Sequence, residues 1–111
     1  MDIKLFIEDW LNKSNAYDTE KYLELWHDKA VLDDPSVGQV FKGYSGIKKY
    51  FESYFIGYKT QTRLINLEII SNNEAHIEVE FTGEFPEGKI GGTFDFTFKE
   101  GKIDKAKADL I

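Results

Sequence analysis

The hydrophobic period of the chain changes once, near Lys59, and that change limits the folds open to it. Before it, apolar residues recur at helical spacing; after it, they alternate with polar ones. Amphipathic helices followed by strands with one polar face predict an α+β arrangement, in which helices cover one side of an antiparallel sheet. With 111 residues, 41% of them hydrophobic, the chain can bury one core, so residues 1–111 are read as a single domain.

Ile3, Phe6, Ile7, Trp10 and Leu11 form the first helical stripe, with Asp2 as its cap. Asp18 is expected to cap a second helix that buries Tyr22, Leu25 and Trp26 and ends near His27. The stretch Ala30–Gly46 reads as two short extended pieces folded back through Asp34-Pro35-Ser36-Val37-Gly38, since proline fixes φ and biases Asp34 towards extended geometry. Ser45 then offers an N-cap to a helix carrying Ile47, Tyr50, Phe51, Tyr54, Phe55 and Tyr58, and Gly57 marks its end.

Four strands should follow. Ile65, Leu67 and Ile69 alternate in the first, and Ala75, Ile77, Val79 and Phe81 in the second, with Ser71-Asn72-Asn73 as the turn between them. Phe94, Phe96 and Phe98 alternate in the third, and the last runs from Lys102 to Leu110. If Ala106 and Ala108 face inward, their small side chains leave volume for a ligand.

Charge and composition exclude several functions. A formal net charge of -6 with no Lys/Arg-rich run opposes a nucleic-acid partner. The N-terminal MDIKLFIEDWLNK carries acids among its apolar residues and reads as a folded helix rather than a signal peptide, and no long apolar span predicts a membrane segment, so a cytoplasmic protein is expected. Two histidines far apart and no cysteine argue against a metal centre, and no cofactor is expected.

The segment HDKAVLDDPSVGQVFKGYSGIKKYF and the aromatic FDFTFKEGKI resemble the matching stretches of the nuclear transport factor 2-like superfamily, in its SnoaL-like and ketosteroid isomerase-like branch. The resemblance covers essentially the whole chain. It implies a cone-shaped fold with three N-terminal helices packed on a curved antiparallel sheet. It does not single out one reaction, because this scaffold hosts isomerases, cyclases, hydrolases, dehydratases and proteins with no known catalysis.

By that resemblance Asp34 stands where ketosteroid isomerases keep their general base, a carboxylate able to take a proton from carbon beside a carbonyl. On its own residues the same aspartate is equally an Asx-turn former. The expected oxyanion partners are replaced: Trp10 stands in the place of the tyrosine on the first helix, Phe51 in that of the supporting tyrosine on the third, and Phe94 in that of the second donor, with Asp95 one residue away. Strand alternation puts Asp95 on the solvent side unless a bulge intervenes. Asp109 resembles an acidic residue near the last strand's end in SnoaL-like cyclases. His76, with Glu78 and Glu80, belongs to the polar face.

These residues lead to one expectation and two alternatives. The expectation is a small, largely apolar molecule bound in a cavity lined by Trp10, Trp26, Tyr50, Tyr54, Phe81, Phe94 and Phe96. One alternative is a proton-transfer enzyme, isomerase or cyclase, with Asp34 as base and Asp95 and Asp109 as further acids. The other is an interaction module, a homodimer through the sheet face that carries Glu78, Glu80, Thr93 and Thr97.

Overall fold

In the computed structural model, which describes residues 1–111, two helices lead into a strand hairpin, a third helix follows, and four long strands complete the chain. Helix α1 (Ile3–Ala16) starts where the Asp2 carboxylate accepts the Leu5 N–H at 3.1 Å, and α2 (Thr19–Leu23) where Asp18 accepts that of Lys21 at 3.2 Å. Each aspartate satisfies a donor that the first turn leaves unpaired. Strand β1 (Trp26–Asp34) turns into β2 (Gln39–Lys42), and α3 (Gly43–Phe51) runs on into a single π-helical turn, Glu52–Ile56. Strands β3 (Gln61–Ser71), β4 (Glu74–Thr82), β5 (Lys89–Lys99) and β6 (Lys102–Leu110) follow.

All six strands lie in one sheet of order β2-β1-β6-β5-β4-β3. The expectation of a purely antiparallel sheet beneath three N-terminal helices is corrected in two respects. The sheet is mixed, because β1 runs parallel to β6, with Leu32 opposite Ala106. Only α1 and α2 precede the first strand, and the β1–β2 hairpin belongs to the sheet. The second helix ends at Leu23, not near His27. Tyr22, Leu25 and Trp26 are all buried as expected, but Trp26 is extended and the Ile103 N–H donates to the Leu25 carbonyl at 2.9 Å. Pairing with β6 thus replaces the helical bond that residue would have made.

Ser45 is not the cap of α3. The helix begins two residues earlier at Gly43, whose φ of +67° suits glycine, and Lys42 at the cap position makes no side-chain bond.

Strand β3 departs from simple alternation. Leu64 pairs with Val79 and Asn66 with Glu78, which leaves Ile65 as an extra residue; Ile70 is extra in the same way between Ile69 and Ser71. Each bulge bends the strand and changes which side chains face inward. Ile65 and Ile69 are therefore exposed, while Thr62 is buried. Asn15, near the end of α1, covers this edge strand: its amide donates to the Thr62 carbonyl at 3.0 Å and its side-chain oxygen accepts the Thr62 N–H at 2.7 Å. A free sheet edge is closed by one side chain that mimics a strand.

On β4 and β5 the alternation holds throughout. Ala75, Ile77, Val79 and Phe81 are buried, as are Phe94, Phe96 and Phe98. Trp10 meets Phe94 and Phe96 edge-on at 5.1 and 5.5 Å, and Tyr22 stacks on Phe51 at 3.8 Å. Ala106 and Ala108 do face inward, opposite Phe96 and Phe94. The large rings fill what the small residues leave, so the space over the alanines is core.

Candidate functional site

The cavity lies where the β1–β2 turn, α3 with its π-helical turn, and the loop between β4 and β5 converge, and its volume is about 290 Å³. That is near the lower end of small-molecule pockets. The turn contributes Asp34, Ser36 and Val37; the helical segment contributes Tyr50, Tyr54, Phe55, Tyr58 and Thr60. Phe81, Ile90 and Leu110 come from strands, and Phe85, Pro86 and Glu87 from the loop. No lysine, arginine or histidine lines it.

Asp34 is held in place by the turn it initiates. Its Oδ1 accepts the Ser36 N–H at 3.0 Å and also the Ser36 hydroxyl, the Asx-turn geometry that Asp-Pro-Ser favours. Both bonds go to one oxygen, which leaves Oδ2 without a hydrogen-bond partner. The residue is only 6% exposed, the one carboxylate among the buried residues. Tyr50, also buried, has its phenol pushed well above the ordinary value, first by burial and then by the charges of Tyr22, Asp34 and Tyr54 around it. The two residues thus sense each other across the cavity wall, and Tyr50 stays a neutral hydrogen-bond donor.

The helical segment positions its aromatics through backbone and ring contacts. Tyr50 and Tyr54 lie 5.7 Å apart by ring centres, and Phe41 of β2 packs on both. The segment ends where Gly57 donates to the Glu52 carbonyl at 2.9 Å, a five-residue step, and Thr60 anchors the exit by donating to the Tyr54 carbonyl at 2.8 Å. Opposite, the Glu84 N–H donates to the Tyr58 carbonyl at 2.7 Å and the Tyr58 and Phe85 rings meet edge-on at 6.0 Å. Two glycines make this wall possible. A Cβ on Gly83 would lie 2.9 Å from the Tyr58 carbonyl oxygen, and one on Gly92 would lie 2.4 Å from the Phe81 ring.

The residues singled out from sequence divide into two groups. Asp34, Tyr50, Tyr54 and Phe81 border the cavity. Trp10, Trp26, Phe94 and Phe96 do not line it; they are packed against one another and buried beneath it in the core. There the Tyr22 hydroxyl lies near the indole N–H groups of Trp10 and Trp26, which offset part of the rise that burial causes in its pKa, although neither contact meets full hydrogen-bond geometry. Asp95 is on the outer face, where its carboxylate meets His76 Nδ1 at 2.6 Å. Asp109 is exposed and accepts the Leu110 N–H at 2.9 Å. Phe55, Tyr58, Phe85 and Ile90 complete the wall. Tyr58 was visible in the helical stripe, whereas Phe85 lies in a turn segment whose sequence gives no periodic signal.

A second concavity, formed by His27, Asp28, Tyr44, Glu100 and Lys102, has one aromatic residue among four polar ones. His27 Nδ1 lies 3.0 Å from Asp28 and Nε2 lies 3.7 Å from Glu100, an arrangement of surface charges without an apolar wall.

A family model for the SnoaL-like domain matches residues 7–106, which spans most of the sheet and most of its helical cover. The chain belongs to the SnoaL-like domain family. This SnoaL-like chain shares its fold with proteins of cyclase, isomerase-like and ligand-bound descriptions. An epoxide hydrolase/cyclase-like enzyme of pyran ring formation in the polyether salinomycin is 20% identical, with a TM-score of 0.84 over 97% of this chain and 89% of that one. A Mycobacterium tuberculosis protein in complex with estradiol-17β-hemisuccinate is 17% identical, with a TM-score of 0.80 over 94% of this chain and 89% of that one. A Catenulispora acidiphila protein of ketosteroid isomerase-like fold, in complex with trimethylamine, is 9% identical, with a TM-score of 0.80 over 93% and 82%. At these identities the likeness is one of fold. No curated protein matches the chain. No helix of the SnoaL-like domain is long and apolar enough to cross a membrane.

Proposed function

We propose that this SnoaL-like domain binds a small, largely apolar molecule in the cavity between Asp34, Tyr50, Tyr54, Phe81 and Phe85. The observation that carries the reading is a concave site with nine hydrophobic residues among its fourteen, bordered by one buried carboxylate. Apolar walls supply affinity by releasing water, and a few fixed polar groups orient the guest. That two fold relatives are described with small molecules bound is consistent with it. Trp10, Trp26, Phe94 and Phe96 act in this reading as the rigid floor. The test is a titration of the ¹⁵N-labelled protein with 2-naphthol, a probe of suitable size. Saturable shifts confined to the amides of residues 34–37, 50–60 and 81–90 are expected, and no saturable shift there would refute the proposal.

The placement of Asp34 beside Tyr50 favours one second reading, proton transfer. Oδ2 would take a proton from carbon next to a ketone, the electron pair would move to the carbonyl oxygen, and Tyr50 would donate a hydrogen bond to that oxygen before the proton returned to carbon. Asp95 and Asp109, away from the cavity, take no part in it. Deuterium exchange at the carbon between ring and carbonyl of 2-tetralone should be accelerated by the protein and not by Asp34→Asn; equal rates would exclude Asp34 as base. We further infer a cytoplasmic homodimer joined through the outer sheet face, where Glu78, Glu80, Thr93 and Thr97 are half-buried already. Light scattering giving a monomer at high concentration would rule the dimer out.

A further inference from the structure

Resting on the reading of the cavity as a small-molecule site, we propose that its guest is an organic cation, a hydrophobic ammonium compound, rather than a neutral or anionic one. The argument is the pairing of an aromatic wall with uncompensated negative charge. Six of the lining residues are aromatic, Tyr50, Tyr54, Phe55, Tyr58, Phe81 and Phe85, and both charged lining residues, Asp34 and Glu87, are carboxylates.

The two lysines adjacent in sequence to lining residues pair with other acids. Lys59 Nζ lies 3.5 Å from Glu84, and Lys89 Nζ lies 3.5 Å from Glu80, whose carboxyl is held below its ordinary value first by the Arg63 hydrogen bond. The cavity's own negative charge is therefore not neutralised by a side chain within it. Asp34 is more than nine-tenths buried and lines the cavity, and its two hydrogen bonds from Ser36 occupy Oδ1 alone, so Oδ2 is left without a hydrogen-bond partner. A buried carboxylate without a counter-charge is costly, and a bound cation supplies one.

The aromatic rings add a second attraction of the same sign. Ring faces are negative, so an alkylammonium group among several of them is held both by the rings and by the carboxylate. An anion would meet repulsion from both. A neutral molecule of the same shape would gain only the apolar contact, and would leave Asp34 as it is in the free protein.

Three probes of one shape test the inference: benzyltrimethylammonium, neopentylbenzene and phenylmethanesulfonate, each titrated into the labelled protein. The cation is expected to bind about tenfold or more tightly than the neutral probe, from the summed ring and carboxylate attractions. The sulfonate should not saturate. Asp34→Asn, which keeps an acceptor for Ser36, and Glu87→Gln, at an exposed loop position, should each narrow the gap between cation and neutral probe. Equal binding of cation and neutral probe overturns the inference and leaves the apolar site standing. Failure of all three to shift the cavity's amides overturns both. A cation preference left undiminished by both substitutions overturns the charge argument on which the inference rests, since the carboxylates would then contribute nothing to it.

Discussion

Ser36 donates twice to one oxygen of Asp34, from its backbone N–H at 3.0 Å and from its hydroxyl, and leaves the other oxygen without a hydrogen-bond partner. The turn that closes the β1–β2 hairpin is also the device that aims the only buried acid. Ser36→Ala removes one charge-assisted bond and should cost about 1–2 kcal/mol in urea unfolding. Loss of well under this amount would mean that the hydroxyl contributes no stabilising bond.

Gly92 is required by the ring that lies over it. A Cβ there would approach the Phe81 ring to 2.4 Å, and that ring is already packed edge-on against Phe55 and Phe94 at 5.9 and 6.1 Å. Gly92→Ala should destabilise by about 1–3 kcal/mol through overpacking and should lower affinity for 2-naphthol as Phe81 moves into the cavity. Unchanged affinity with unchanged stability would contradict this placement of Phe81.

Core and lining aromatics should separate in a mutant series. Phe94→Ala removes a ring packed against Trp10, Phe81 and Phe96 and should cost about 3–5 kcal/mol. Phe85→Ala, on a half-buried loop residue, should cost less than half as much while weakening 2-naphthol binding. Paired thermal melts and titrations distinguish the two roles.

Alkaline pH should weaken the fold through two tyrosines. Burial raises the phenols of Tyr22 and Tyr50 above their ordinary value of 10.0 and is the first cause in both cases. Above about pH 10 the unfolded chain loses these protons while the native one keeps them, so the unfolded state binds fewer protons and stability falls as pH rises. Below pH 10 both states are neutral at these groups and neither contributes a slope. Tyrosinate absorbance should show that two of the six tyrosines ionise only with unfolding, and Tyr50→Phe should reduce the alkaline slope.

Much of this architecture was legible because β4 and β5 are regular. Ala75 to Phe81 and Phe94 to Phe98 alternate without interruption, and the family resemblance around Asp34-Pro35 supplied the order of elements. The departures have local causes. Trp26 follows a helical stripe yet is extended, because a tertiary partner, β6, claims its backbone. Ile65 and Ile70 are apolar but occupy bulges, which period-two counting cannot locate. The cavity's position depended on volume: Trp10, Trp26, Phe94 and Phe96 have the composition of a ligand wall, but their rings fill the space between them. Only the assembled packing shows that the opening lies higher, among Tyr54, Phe81 and Phe85.

The most direct measurement is of proximity between guest and wall. Intermolecular nuclear Overhauser effects from bound 2-naphthol should reach the ring protons of Tyr50, Tyr54, Phe81 and Phe85 and none of those of Trp10 or Trp26. Contacts to the tryptophans, or to residues on the outer sheet face in place of the tyrosines, would contradict the account.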